Sequence, residues 1–96
     1  MHYVYVLQSK DDLNLYIGST SDLHRRFQEH KNGKVKSTKS RRPLELVYYE
    51  AYRAEDDARN REKQLKRRGR AKGGMKRRIE KSRLQSENQW AGLPAH

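Results

Sequence analysis

The sequence predicts a single α+β domain: a small three-stranded sheet, antiparallel or mixed, flanked by helices in the order β-β-α-β-α, with a further helix after them. Three observations lead there. Two short β-rich runs, residues 3–7 and 15–17, are separated by a polar segment, as in an antiparallel hairpin. A third alternating run spans residues 44–52. Elsewhere the apolar spacing becomes helical, at Leu23 and Phe27 and again at Ala58 and Leu65. A chain of 96 residues holds one domain, not two. We place it at residues 1–84, with 85–96 as a flexible C-terminal tail whose single anchor is Trp90.

Each element has its own local reason. Tyr3, Val4, Tyr5, Val6 and Leu7 are strand formers, residues 9–14 make a polar turn, and Leu15, Tyr16 and Ile17 form a second strand ending at Gly18. Ser19, Thr20 and Ser21 are N-cap candidates, with Asp22 as a negative charge in the first turn of a helix over residues 22–30. Asn32-Gly33 stops that helix. Residues 34–42 read as a basic loop closed by Pro43. In the third strand Leu44, Leu46, Tyr48 and Glu50 alternate against Glu45, Val47 and Tyr49. From Ala54 onward Ala58, Glu62 and Leu65 share a helical stripe surrounded by arginines and lysines, and Gly69 ends it. A further basic helix is expected within residues 71–84, weakened by Gly73-Gly74.

Only 32% of the residues are apolar, so the core is small and tyrosines must fill part of it. Lys and Arg number 23 against 12 Asp and Glu, a net charge of +11, which favours a phosphate polymer as partner. No long apolar run and no amphipathic Trp/Phe/Leu face supports a membrane partner. The absence of cysteine excludes disulfides, zinc fingers and thiol catalysis. Met1-His2-Tyr3-Val4 lacks a basic segment leading into an apolar stretch, so a cytoplasmic location is expected.

Tyr3-Val4-Tyr5, ten intervening residues, Tyr16-Ile17-Gly18, then Asp22-Leu23 with Arg26 and His30, together resemble the GIY-YIG nuclease superfamily. The likeness is to its small stand-alone bacterial members, similar to the nuclease domain of the excision-repair incision subunit. Residues 58–66 are similar to the helix that carries that family's metal-binding glutamate. The resemblance covers about residues 2–82, with one departure: Tyr3 stands where the name-giving glycine would be.

The resemblance implies a metal-dependent nuclease acting on DNA in repair or processing, with Tyr5, Tyr16, Arg26, His30 and Glu62 as catalytic residues. One of the two tyrosines would take a proton from the attacking water, and neighbouring cations would lower a phenol pKa near 10. Arg26 and His30, four apart on one helical face, would stabilise phosphoryl charge and bond the scissile phosphate or assist proton transfer. Glu62 would hold a single Mg²⁺ or Mn²⁺. Its bland alternative is a helical ion pair with Lys66, worth only about 0.3–0.5 kcal/mol. Glu50 and Glu55 are spare carboxylates.

Phosphate contacts are assigned to Lys34, Lys36, Ser37, Thr38, Lys39, Arg41, Arg42, Lys63 and Lys66. Hydroxyls and cations in such runs position a backbone rather than read bases. The expected partner is DNA, or RNA, and the protein is expected to be a monomer or weak homodimer. The competing reading is a non-catalytic nucleic-acid-binding module on the same scaffold.

Overall fold

The computed structural model describes residues 1–67 and 69–84, so the expected tail with Trp90 lies outside the described residues. In chain order the elements are β1 (His2–Ser9), β2 (Leu15–Thr20), α1 (Leu23–Lys31), α2 (Lys36–Lys39), β3 (Leu44–Tyr52), α3 (Glu55–Lys66) and α4 (Arg70–Arg78). The sheet order is β2-β1-β3 and both pairings are antiparallel. The fold is therefore α+β, with no mixed pairing.

Because side chains alternate along a strand, central β1 feeds two small cores. Val4 and Val6, with Ile17 of β2, bury against Ala58 and Leu65 of α3, Met75 of α4 and Ile79 beyond it. On the other face Tyr5, Leu7 and Leu44 meet Tyr16, Leu23, Phe27 and Leu46. Helix α1 thus covers one face, and α3 with α4 the other.

Local details depart from the sequence reading in five places. Strand β2 does not end at Gly18 but runs on to Thr20. Asp22 is not in the first turn of α1 but caps it, its side chain accepting the backbone N–H of Arg25 at 3.1 Å. The basic segment contains the one-turn helix α2, and α4 is shorter than the 71–84 expected. Finally, the pairing of β1 with β3 slips between Val6, opposite Tyr48, and Leu7, opposite Leu46. Val47 is the extra residue of this β-bulge, so Leu46 and Tyr48 pack on opposite faces instead of sharing one.

The bulge sends Tyr48, Glu50 and Tyr52 toward α3, where a polar cluster closes that core. Arg61 grips Glu50 with two bonds, Nε to Oε1 at 2.9 Å and Nη2 to Oε2 at 3.1 Å. The hydroxyls of Tyr48 and Tyr52 donate to the same carboxylate at 2.6 and 2.5 Å. Burial alone would raise the Glu50 pKa, but the bonds from Arg61, Tyr48 and Tyr52 prevail and hold it below 4.5. Glu50 is thus fully engaged in structure and is no spare ligand.

Arg61→Leu should strand this carboxylate without its counter-charge and cost about 1.5–3 kcal/mol in urea unfolding at pH 7. A depressed carboxylate pKa contributes stability above its unfolded value and loses it as pH falls. The difference between wild type and variant should therefore shrink as the pH drops below the ordinary value of 4.5.

Candidate active site

Tyr5 of β1 is buried, 2% exposed, and its neighbour across the sheet is Gly18. A Cβ built at residue 18 would lie 2.5 Å from the Tyr5 hydroxyl oxygen and 2.6 Å from Cζ. Gly18 is therefore neither a turn residue nor an approach for substrate; it is the space in which the phenol sits.

Above that slot, the Tyr5 hydroxyl is 2.8 Å from Nε2 of His30, whose Nδ1 is 2.7 Å from Oγ1 of Thr38. A neutral imidazole has one N–H and one lone pair. The Thr38 hydroxyl reaches the Val35 carbonyl at 3.5 Å, which orders the chain: Tyr5 donates to Nε2, and Nδ1–H donates to Thr38. His30 and Thr38 are wholly buried. The structure thus moves Thr38 from the phosphate contacts to the support of His30, and closes off a direct bond from His30 to a phosphate.

Burial is the larger cause, and the Arg26 charge the second, that depress the His30 pKa to about 4, against an opposing pull from Glu29. The imidazole is neutral at pH 7. For Tyr5 the expected lowering does not occur: burial raises its pKa, outweighing the hydrogen bond from Arg26, with the Tyr16 and Glu62 charges adding to the rise.

Arg26 reaches this cluster from α1, half-exposed, with Nη1 3.0 Å from Glu29 Oε1. Glu29 first, and Tyr5 after it, stabilise the guanidinium charge. Tyr16 completes the group from β2, its ring centroid 6.5 Å from that of Tyr5 and 5.2 Å from that of His30. Unlike Tyr5, it is only half-buried.

Glu62 approaches from α3 on the opposite face of β2. Ser19, the residue after Gly18, donates its hydroxyl to Oε1 at 2.7 Å, and Lys66 Nζ lies 2.7 Å from Oε2. The Glu62 side chain is 19% exposed and that of Lys66 is 53%. Burial would raise the carboxyl pKa, yet Lys66, Ser19 and Arg59 together bring it below the ordinary value. Both readings of Glu62 are thus visible at once: an inward, ionised carboxylate that also pairs with Lys66. Ser19 was read as a cap candidate. Continuing the two-residue alternation past Gly18 would have placed it on the Glu62 side.

Among the described residues there is no group of three or more His, Cys, Asp or Glu able to hold a metal ion. A hard divalent ion would have to rely on sparse oxygen ligands. Glu62 and the Ser19 hydroxyl are of that kind, beside a cavity of about 370 Å³ lined by Ser19, Thr20, Glu55 and Arg59. Glu55 itself pairs with Arg59 at 2.8 Å. The remaining predicted contacts spread over the surface. Lys34, Lys36, Ser37, Lys39, Arg42 and Lys63 are exposed, and Arg41 leans toward Asp12 at 3.9 Å.

Residues 1–78 match the model of the GIY-YIG catalytic domain. The chain belongs to the GIY-YIG family. Its curated relatives include a UPF0213 protein of Staphylococcus epidermidis, 44% identical over 66 residues, spanning 68% of this chain and 79% of the relative. A UPF0213 protein of Bacillus pumilus is 39% identical over 87 residues, spanning 90% and 86%. The solution NMR structure of a UPF0213 protein from Bacillus halodurans is 37% identical, with a TM-score of 0.48, and covers 77% of this chain and 79% of that one. The described part of this GIY-YIG chain has no helix long and apolar enough to cross a membrane.

Two outcomes are expected of this geometry. Gly18→Ala should push the Tyr5 ring away and break its bond to His30, seen as a rise in the His30 pKa by NMR titration. A depressed histidine pKa contributes stability above the unfolded value near 6.5 and loses it as pH falls toward 4. Melting temperatures should therefore drop across that window in wild type, and less steeply in His30→Gln.

Proposed function

We propose that this GIY-YIG domain is a nuclease that hydrolyses DNA phosphodiesters with Mg²⁺ or Mn²⁺ held at Glu62. One observation carries the reading: the phenols of Tyr5 and Tyr16, the His30 imidazole and the Arg26 guanidinium meet on one side of β2. An ionised, inward Glu62 lies just across the same strand. A charged, planar donor such as Arg26 is suited to phosphoryl oxygens, where negative charge grows in the transition state.

In this mechanism Tyr16, the more open phenol, hydrogen-bonds the attacking water. The water oxygen forms the new bond to phosphorus as its proton passes to the Tyr5 oxygen and the Tyr5 proton passes to His30 Nε2. Meanwhile the P–O bond to the leaving strand breaks and its electron pair stays on the departing oxygen. Thr38 holds the imidazole in the tautomer that can accept it. His30 acts through Tyr5 and touches no substrate. A divalent ion at Glu62 would neutralise charge on the phosphate and on the departing oxygen. Lys66, exposed and flexible, can leave the carboxylate to bind a phosphate instead.

The alternative of a nucleic-acid-binding module without catalysis draws on the same Lys66–Glu62 pair, which occupies the ligand oxygen. Cleavage separates the two. With Mn²⁺ or Mg²⁺, purified protein should nick or trim labelled DNA in a panel that also holds RNA, and EDTA should stop it. Glu62→Ala should abolish cleavage and keep binding, while Arg26→Ala should lower kcat by about 100-fold or more. Full cleavage by Glu62→Ala would overturn the metal assignment at Glu62, and binding without cleavage under any divalent ion would overturn the nuclease reading.

A further inference from the structure

We propose that the groove between β1, β3 and the start of α1 is a stacking site for one unpaired nucleobase, held against Tyr3 and Tyr49 beside the Tyr5 cluster. It deepens the nuclease reading by naming a substrate class, and rests on that reading for the neighbouring phosphate. The base site itself stands on its own geometry.

Tyr49 is 54% exposed, a large ring left in solvent by a chain short of apolar residues. Neither Tyr49 nor Tyr3 packs into the two cores. Instead the two rings meet edge to face, with centroids 6.0 Å apart and planes at 66°, which leaves ring surface open to a third aromatic. They line a cavity of about 510 Å³ with Leu23, Phe27 and Leu46 at its base and His24 at its rim. A nucleobase has what this groove asks for: two flat apolar faces and a polar edge.

Register places the groove relative to the chemistry. Tyr3 and Tyr5 are alternate residues of β1 on one face, about 6.6–6.8 Å apart along the strand, and Tyr49 is the cross-strand partner of Tyr5. A base resting on Tyr3 and Tyr49 would thus belong to a nucleotide next to the phosphate at Tyr5 and Arg26. Charge favours the same occupant. The carboxylate of Asp22 at the groove is engaged by the Arg25 backbone N–H at 3.1 Å and faces its guanidinium at 3.8 Å, within a chain of net charge +11. A base inside a duplex is already stacked and paired, so the site selects unpaired nucleotides in single strands, flaps or frayed ends. Tyr3, at the position of the motif's name-giving glycine, gives the platform its second ring.

The test is binding in EDTA, so that no cleavage is needed. The probes are a labelled single-stranded oligonucleotide, the same strand with one abasic position, and a blunt duplex. Tyr49→Ala and Tyr3→Leu should each weaken single-strand binding about tenfold, Tyr49→Phe should restore it, and duplex binding should stay unchanged. The salt dependence should keep its slope, since no cation is removed. Tyr49 is exposed enough that its replacement leaves the fold intact. Equal losses on single strand and duplex, no loss in Tyr49→Ala, or failure of Tyr49→Phe to restore binding would overturn the proposal. So would a wild-type dimer that Tyr49→Ala converts to monomer with oligonucleotide binding intact, which would make the groove a protein contact. Stacking without cleavage would sink the nuclease reading alone; cleavage with no effect of the two tyrosines would sink the base site alone.

Discussion

The Tyr5 ring fills the volume that a side chain at residue 18 would occupy, and much of the candidate site is arranged by that one close approach. The central strand can then carry a large ring to the cross-strand glycine without parting the backbones. Once there, the hydroxyl meets His30, and His30 in turn meets Thr38 from the short helix α2. A single hydrogen-bonded line therefore ties β1, α1 and the basic segment together. Its members are buried and paired, which is the condition under which polar groups stabilise rather than penalise a small core.

Electrostatics in this domain are a contest between burial and neighbours, and different residues show different winners. Burial prevails at Tyr5 and His30, which stay neutral in spite of, or with the help of, Arg26. Neighbours prevail at Glu50 and Glu62, which stay ionised although partly removed from water. The two carboxylates differ in what surrounds them. Glu50 is locked by Arg61, whose side chain is 23% exposed, and by two tyrosines. Glu62 is held by a small hydroxyl and by a lysine that is largely in solvent. That difference in replaceability, more than charge, separates a structural carboxylate from one available to a ligand.

The helices and strands were readable because their apolar residues repeat with a clear period, as Leu23 and Phe27 or Ala58 and Leu65 do. Glu62 was readable for the same reason, lying on the buried stripe of α3. What was hidden depends on contacts distant in sequence. Thr38 sits in a polar, basic run without periodicity, and only its meeting with His30 makes it a core residue. Gly18 and Ser19 looked like the start of a turn, because small residues signal loops; strand pairing with β1 carries them onward. The raised Tyr5 pKa likewise follows from burial, whereas composition speaks only of nearby cations. The bulge at Val47 lies in the pairing of two strands, to which no single residue testifies.

That bulge has an effect on how few residues the domain needs. A strictly alternating β3 would aim Leu44, Leu46, Tyr48 and Tyr52 at one helix layer and leave the opposite layer short of cover. By taking in one unpaired residue, the strand changes sides midway. Its aliphatic half then seals the α1 layer, its tyrosine half seals the α3 layer, and Tyr49 is turned out beside Tyr3. One edge strand thereby does the work of two, which is how so hydrophilic a chain can roof both sides of a three-stranded sheet.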